Sequence, residues 1–286
     1  MDTFWKNVKL GLRTYFKSFG FIVKNNMMHF YLYPLVFVIL FSVGAATGIS
    51  ALNDVITEWV NGLIATEAVP GDGWWDQTLN FLKDMSGYAI NFIVWVSLIF
   101  IFHKLNKYLV LIVMSPVMSI ISERTDEKLT GKTYPFEWAQ LFKDVWRGVL
   151  IALRNLVLEM GITIALLALN LAITIFLPFL SVITTPVVTV ILFIVGAYYY
   201  GFSTMDYTNE RYRLSMGESV RYIRKNKGLA ISNGAIFSLW LAIPILGTYI
   251  GTIFAPVTCT VGATLAILEK GDLADKSSGV VPFQKD

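Results

Sequence analysis

An arginine set in an apolar run is the residue with the plainest chemistry in this sequence. Arg154 is surrounded by Leu150, Leu153, Leu156 and Val157 and has no acid three or four positions away. A guanidinium presents a fork of donors that suits an oxyanion. Arg147 lies seven positions earlier, on the same helix face, with Lys143 nearby. Cations so placed can replace the water around a small anion. They can equally snorkel to a membrane border and do nothing more. Thr163, Asn170 and Asn233 are polar within apolar stretches, where such residues commonly join neighbouring helices. Other chemistry lacks its residues. Two histidines, one cysteine (Cys259) and no phosphate-cradling glycine loop leave no metal, thiol or nucleotide motif. No cofactor and no enzymatic activity are expected, and any ATP motor would belong to another subunit.

The elements that hold these residues belong to a membrane protein. The chain is 55% hydrophobic and 15% charged over 286 residues, with a mean hydropathy of +0.60. A small aqueous core has no use for such long uncharged runs. A net charge of +3 argues against nucleic acid as a partner. No cleavable leader is visible, because the first residues read as an amphipathic helix. Over residues 3–23, Phe4, Val8, Leu12, Tyr15, Phe19 and Ile22 fall at helical spacing, with Lys6, Lys9, Arg13 and Lys17 on another face. That pattern predicts a helix lying in the membrane interface.

Phe30–Leu52 carries no charge and reads as a spanning helix, with Gly44 and Gly48 suited to close packing. Residues 53–84 gather acids and Trp59, Trp74 and Trp75, an interfacial loop. Gly87–Phe102 is a second span, prolonged through His103 towards Met114. From Ser115 to Gly131 the chain passes from apolar to charged, with Ser115-Pro116 as helix start and Gly131 as helix stop. Arg124 can reach Glu127 and Lys128 along that helix. A further helix begins near Pro135. Ser215 and Glu218 form a capping box that opens a short basic helix ending at Gly228. Residues 1–268 are read as one membrane domain and 269–286 as a flexible polar tail.

Lys and Arg number five in residues 1–28, seven in 103–147 and six in 206–228, against one in 53–84. The first three segments are therefore predicted to be cytoplasmic. Two uncharged stretches must then leave that side and return. In 160–205, Pro178 and Pro186 bracket the expected turn, and its arms approach spanning length. In 229–268 the arm Leu229–Ile243 is only about 22 Å long, against a hydrocarbon core of about 30 Å. A re-entrant hairpin follows, and its turn must be buried in protein or line a wet cavity.

Pro116–Gly131, with Ser122-Glu123-Arg124 before Leu129-Thr130-Gly131, resembles the signature of the CysZ family of bacterial inner-membrane sulfate transporters, homologous to the etoposide-induced membrane proteins. Met205-Asp206-Tyr207, Leu214-Ser215, the basic run into Lys227-Gly228-Leu229, Pro244 and the Ala255-Pro256 to Thr264 segment follow in family order. The resemblance covers about Phe19–Leu268. It implies an all-α, multi-pass integral membrane protein of the bacterial inner membrane. The family architecture has an N-terminal interfacial helix, two long transmembrane helices, two re-entrant hairpins and short cytoplasmic helices. It also implies a homo-oligomeric permease or channel for a small inorganic anion, sulfate first, serving cysteine biosynthesis and driven by gradients. The family's Gly-Leu-Arg-type sulfate motif falls here on Asn26, Met27, Met28 and His29, so its glycine and arginines are missing; the helix start, His29 and Lys24 remain. The binding set so implied is Lys24, Asn26, Met28 and His29, joined by Arg147 and Arg154 from the residues themselves. Glu123, Arg124 and Asp206 match signature positions and imply an internal polar network. A non-transporting membrane scaffold or stress-associated protein is the alternative, and an integral-membrane lipid enzyme a third reading with no acid/base constellation to support it.

Overall fold

A computed structural model describes residues 2–40, 58, 73–78, 108–132, 138–241, 243 and 247–273. Most of Phe30–Leu52, all of Gly87–Phe102, most of 53–84 and the tail beyond 273 lie outside the described residues. The chain divides into two compact units, 1–38 with 108–286, and 39–107. Of the second, Gly73–Thr78 shows one helical turn in which Asp76 accepts the Gly73 N–H at 3.2 Å and Trp74 stacks on Trp75.

The first unit is built on α1 (Asp2–Lys24), α2 (Ser115–Thr130), α3 (Trp138–Phe176), α4 (Pro178–Arg211), α5 (Met216–Lys225), α6 (Lys227–Leu241) and α7 (Thr252–Lys270), and residues 32–38 and 108–113 are helical as well. All regular structure among the described residues is helical. α7 is the central helix, packed by α1, α2, α4 and α6. It is almost wholly buried from Ala255 to Ile267. Helices α3, α4 and α7 are long and apolar enough to cross a membrane.

Helix ends follow local chemistry with one shift. Gly131 closes α2 in the left-handed region at φ 73°, where a side chain would be strained. Ser115 does not cap α2: Met114 occupies that position and Ser115 is the first helical residue. Its hydroxyl is buried without a hydrogen-bond partner among the described residues. The capping box opens α5 as expected, with Glu218 accepting from Ser215 N–H at 2.9 Å.

The two prolines of the 160–205 stretch do different jobs, contrary to the bracketing expected. The turn is the single residue Leu177, and Pro178 starts α4, where a missing N–H costs nothing. Pro186 lies inside α4. Asn170 on α3 staples this end, donating to Thr185 at 3.1 Å and accepting from Thr184 at 3.0 Å. Between Asn155 and Phe176, α3 is about 33 Å long. Many of its large apolar side chains, and those of α4 up to Ile194, face outward. A soluble monomer does not expose such an area; lipid is the solvent it suits.

α4 and α6 meet without side chains between them. A Cβ on Gly201 would stand 1.9 Å from the Ala230 carbonyl oxygen, and one on Gly234 1.9 Å from that of Ala197. The helices are antiparallel, and each contributes an Ala-xxx-Gly pair to the contact. Asn233 then donates to Thr204 on α4 at 2.9 Å and to the Cys259 carbonyl on α7 at 3.0 Å.

α1 joins this core through a mostly small and polar face, which takes Tyr15 and Ile22 from the expected apolar stripe and leaves Leu12 and Phe19 of it facing outward. Asn7, Gly11, Thr14, Tyr15, Ser18 and Ile22 are buried, whereas Trp5, Leu12, Phe16, Phe19 and Val23 are exposed. Close approach to α6 requires small residues, as the Ser232 hydroxyl 2.1 Å from a Cβ built on Gly11 shows. The Tyr15 hydroxyl accepts from Trp240 and Thr258, each at 3.3 Å, tying α1 to α6 and α7. The helix thus has three sectors: protein-facing, apolar and outward, and basic.

Candidate functional site

The polar end of α4 carries Asp206, Glu210 and Arg211, and two ion-paired groups form there. Asp206 and Glu210 are four apart and share the face towards α3. Arg147 donates to both oxygens of Asp206, at 3.0 and 3.3 Å, stands 3.5 Å from Glu210 and also donates to the Leu214 carbonyl. Ser219 of α5 donates to Asp206, and Asn209 donates to Ser219 at 2.9 Å. Arg211 faces α2, where it pairs with the buried Asp126 at 3.2 Å and donates to Ser122 at 2.9 Å. Ser122, Thr208 and Thr264 hydroxyls lie 2.9 to 3.2 Å from one another, continuing the network to α7.

Acid outnumbers base in this cluster. Asp126, Asp144, Asp206 and Glu210 are buried and Glu123 is half-buried, and two guanidinium groups, Arg147 and Arg211, lie among them. Burial pushes the Glu123 carboxyl up to about 7, with Asp144 and Glu127 adding to the rise and Arg211 and Arg124 opposing it. Arg124 points outward and pairs with Glu127 at 2.6 Å, an exposed contact of small energetic weight. The cluster therefore holds α2, α3, α4 and α5 together, and both its guanidinium groups are engaged by carboxylates. Removing one partner from such a pair leaves a buried charge uncompensated.

Arg154 is placed differently. Its guanidinium donates to Asn155 at 2.9 Å and lies 5.3 Å from the Phe202 ring centre, with no ion pair among the described residues. Asn155 passes the contact on by donating to Ser203 of α4 at 3.3 Å. Arg224 on α5 hydrogen-bonds Tyr198, whose phenol also lies within the field of Arg154. Two cations thus act on one phenol. One turn along α3, the buried Glu159 accepts from Tyr108 at 2.6 Å.

The remaining predicted residues gather where α1 ends. Lys24, Asn26, Met28 and His29 are all exposed, around a left-handed Asn26 (φ 56°) and a short 3-10 turn, Met28–Tyr31. His29 Nδ1 lies 3.0 Å from the Asn26 carbonyl; a carbonyl only accepts, so Nδ1 is the donor. Met27, Phe30 and Tyr31 anchor this turn among Met118, Ile121, Val257 and Val261.

The structure joins Arg147 to Asp206, residues the sequence had put in separate roles, and leaves Arg154 apart from both. Sequence reasoning missed Asp126, Glu210, Arg211, Arg224 and Tyr198. A usable signal was the Asp206–Arg211 hexapeptide, whose charges close a long uncharged run at helical spacing.

The family model described as Sulfate transporter CysZ/Etoposide-induced protein 2.4 matches residues 14–250. The chain belongs to that family. The match spans α1 to the π-helical turn Gly247–Gly251, and so contains every ion pair and polar contact described for the cluster except the Thr264 hydroxyl. No curated protein matches the chain. Membership of the CysZ/Etoposide-induced protein 2.4 family and the apolar α3, α4 and α7 together make this an all-helical membrane protein.

Proposed function

We propose that this member of the family is a gradient-driven permease or channel for a small inorganic oxyanion, sulfate first, acting without enzymatic chemistry. It would work as a homo-oligomer in the bacterial inner membrane and supply sulfur for cysteine synthesis. The observation that carries this reading is Arg154, a cation held on an apolar helix with no ion-pair partner among the described residues. Such a residue is a functional candidate by default. In this reading Arg154 is the inner contact for the anion, and Lys24, Asn26, Met28 and His29 form an outer one. Arg147, Glu123, Arg124 and Asp206 position the helices.

The α6–α7 hairpin is read as re-entrant. Helix α6 has 15 residues, about 22 Å. Its antiparallel register on α4, with Gly234 at Ala197 and Ala230 at Gly201, sets Leu241 level with Val190. Pro178 at the α3–α4 tip lies about 18 Å further. One hairpin stops well short of the other, and backbone turning at such depth needs a wet or protein-lined space.

The test is sulfate uptake into proteoliposomes. Wild type is expected to exceed empty vesicles, and Arg154→Ala is expected to lower the flux about tenfold or more while eluting as the same oligomer. Flux equal to empty vesicles removes the transport claim; unchanged flux in the variant removes Arg154 from the path. That buried carboxylates already engage Arg147 and Arg211 supports the second reading, a non-transporting scaffold, which predicts no flux in any variant.

A further inference from the structure

A cleft of about 560 Å³ opens between the end of α7, the end of α2 and the basic sector of α1. Arg13 and Lys17 of α1 and Lys132, just past the Gly131 cap, line it. Its carboxylate, Glu269, accepts from Arg13. Lys17 and Lys132 have no ion pair among the described residues, and Lys132 lies 5.8 Å from the centre of the Tyr212 ring. Most of the remaining wall is apolar, with Leu129, Leu265, Leu268 and Leu273 beside Thr130.

A bare oxyanion fits this place poorly. The volume is that of a pocket for a larger ligand, and the leucines offer it nothing. The walls call for an amphiphile, with its negative group at the lysines and its apolar part along the leucines. The outward sector of α1, with Trp5, Leu12, Phe16, Phe19 and Val23, adjoins the basic one and suits the surface where such a molecule is found. We propose that the cleft holds one anionic phospholipid, its phosphate between Lys17 and Lys132 and its acyl chains on the leucine wall. This site is independent of the transported ion.

The experiment uses the full chain in phosphatidylcholine nanodiscs containing a minority of phosphatidylglycerol, with retained lipid counted by native mass spectrometry. One phosphatidylglycerol per chain is expected to survive. Lys17→Gln with Lys132→Gln is expected to reduce its retention about tenfold or more. Lys6→Gln with Lys9→Gln, on the basic sector but outside the cleft, is expected to leave it unchanged. Lys17→Arg with Lys132→Arg keeps the charge and should keep the lipid. Leu268→Trp fills the wall without altering charge and should expel it. Equal retention of phosphatidylcholine, equal loss from both lysine pairs, lipid kept by Leu268→Trp, or displacement by millimolar inorganic phosphate would each overturn the proposal.

Discussion

Glu123 is half-buried on α2, facing the acid-rich cluster from its edge, and burial holds its proton until about pH 7. In the unfolded chain the same carboxyl ionises near its ordinary value of 4.5. Between those values the native state binds the proton more tightly, so stability falls as pH rises; below 4.5 and above 7 this residue contributes no slope. Glu123→Gln is therefore expected to flatten the fall in melting temperature between pH 5 and pH 7.5, and to melt higher than wild type at the upper end. Identical pH profiles would show that the carboxyl is not held this way. Arg154 belongs to the same scale, because its effect depends on a local fact, that it forms no ion pair among the described residues. Arg147, seven residues earlier and identical in type, is neutralised by Asp206 and Glu210.

At the scale of elements, the α4–α6 contact sets how near the polar stripes of α4, α6 and α7 can come. Gly201→Ala or Gly234→Ala drives a methyl group into a backbone carbonyl of the facing helix. Each is expected to destabilise by about 1–3 kcal/mol, read as a lower melting temperature in detergent. The double variant should cost less than the sum, since separating the helices once relieves both. Gly161→Ala, with nothing within 4 Å, is the control, expected to stabilise by up to about 1 kcal/mol through helix propensity. A Gly201→Ala protein as stable as wild type would mean that the helices do not approach so closely. The Ala197-xxx-Gly201 and Ala230-xxx-Gly234 pairs were visible in the sequence, yet such pairs also arise by chance. Which partner each one met depended on register between segments 30 residues apart.

For the whole molecule, the decisive question is depth. The α3–α4 hairpin has legs of about 33 Å, and α6 stops about 18 Å short of its tip. A cysteine introduced at Phe176 is expected to react with a membrane-impermeant maleimide from the side opposite Lys225→Cys. Ile243→Cys is expected to react from neither side of the intact bilayer, or only from the side of Lys225. The native Cys259 is fully buried and should stay silent. Labelling of Ile243→Cys from the same side as Phe176→Cys would show that α6 and α7 cross completely, and the re-entrant reading would fall.

Composition and uncharged runs by themselves determined that this is an all-helical membrane chain, because burying so much apolar surface without charge has few other solutions. Local signals placed Gly131, the Ser215–Glu218 capping box and the first helix, since a cap needs only its own turn. The order of short motifs pointed to the family that the model match then showed. Only the tertiary structure decided that α1 buries Asn7, Thr14 and Ser18 and turns Phe16 outward, and that Arg147 meets Asp206 across 59 residues. Those outcomes rest on which face meets which neighbour, and a one-dimensional pattern of polar and apolar residues does not say whether its complement is lipid, water or another helix.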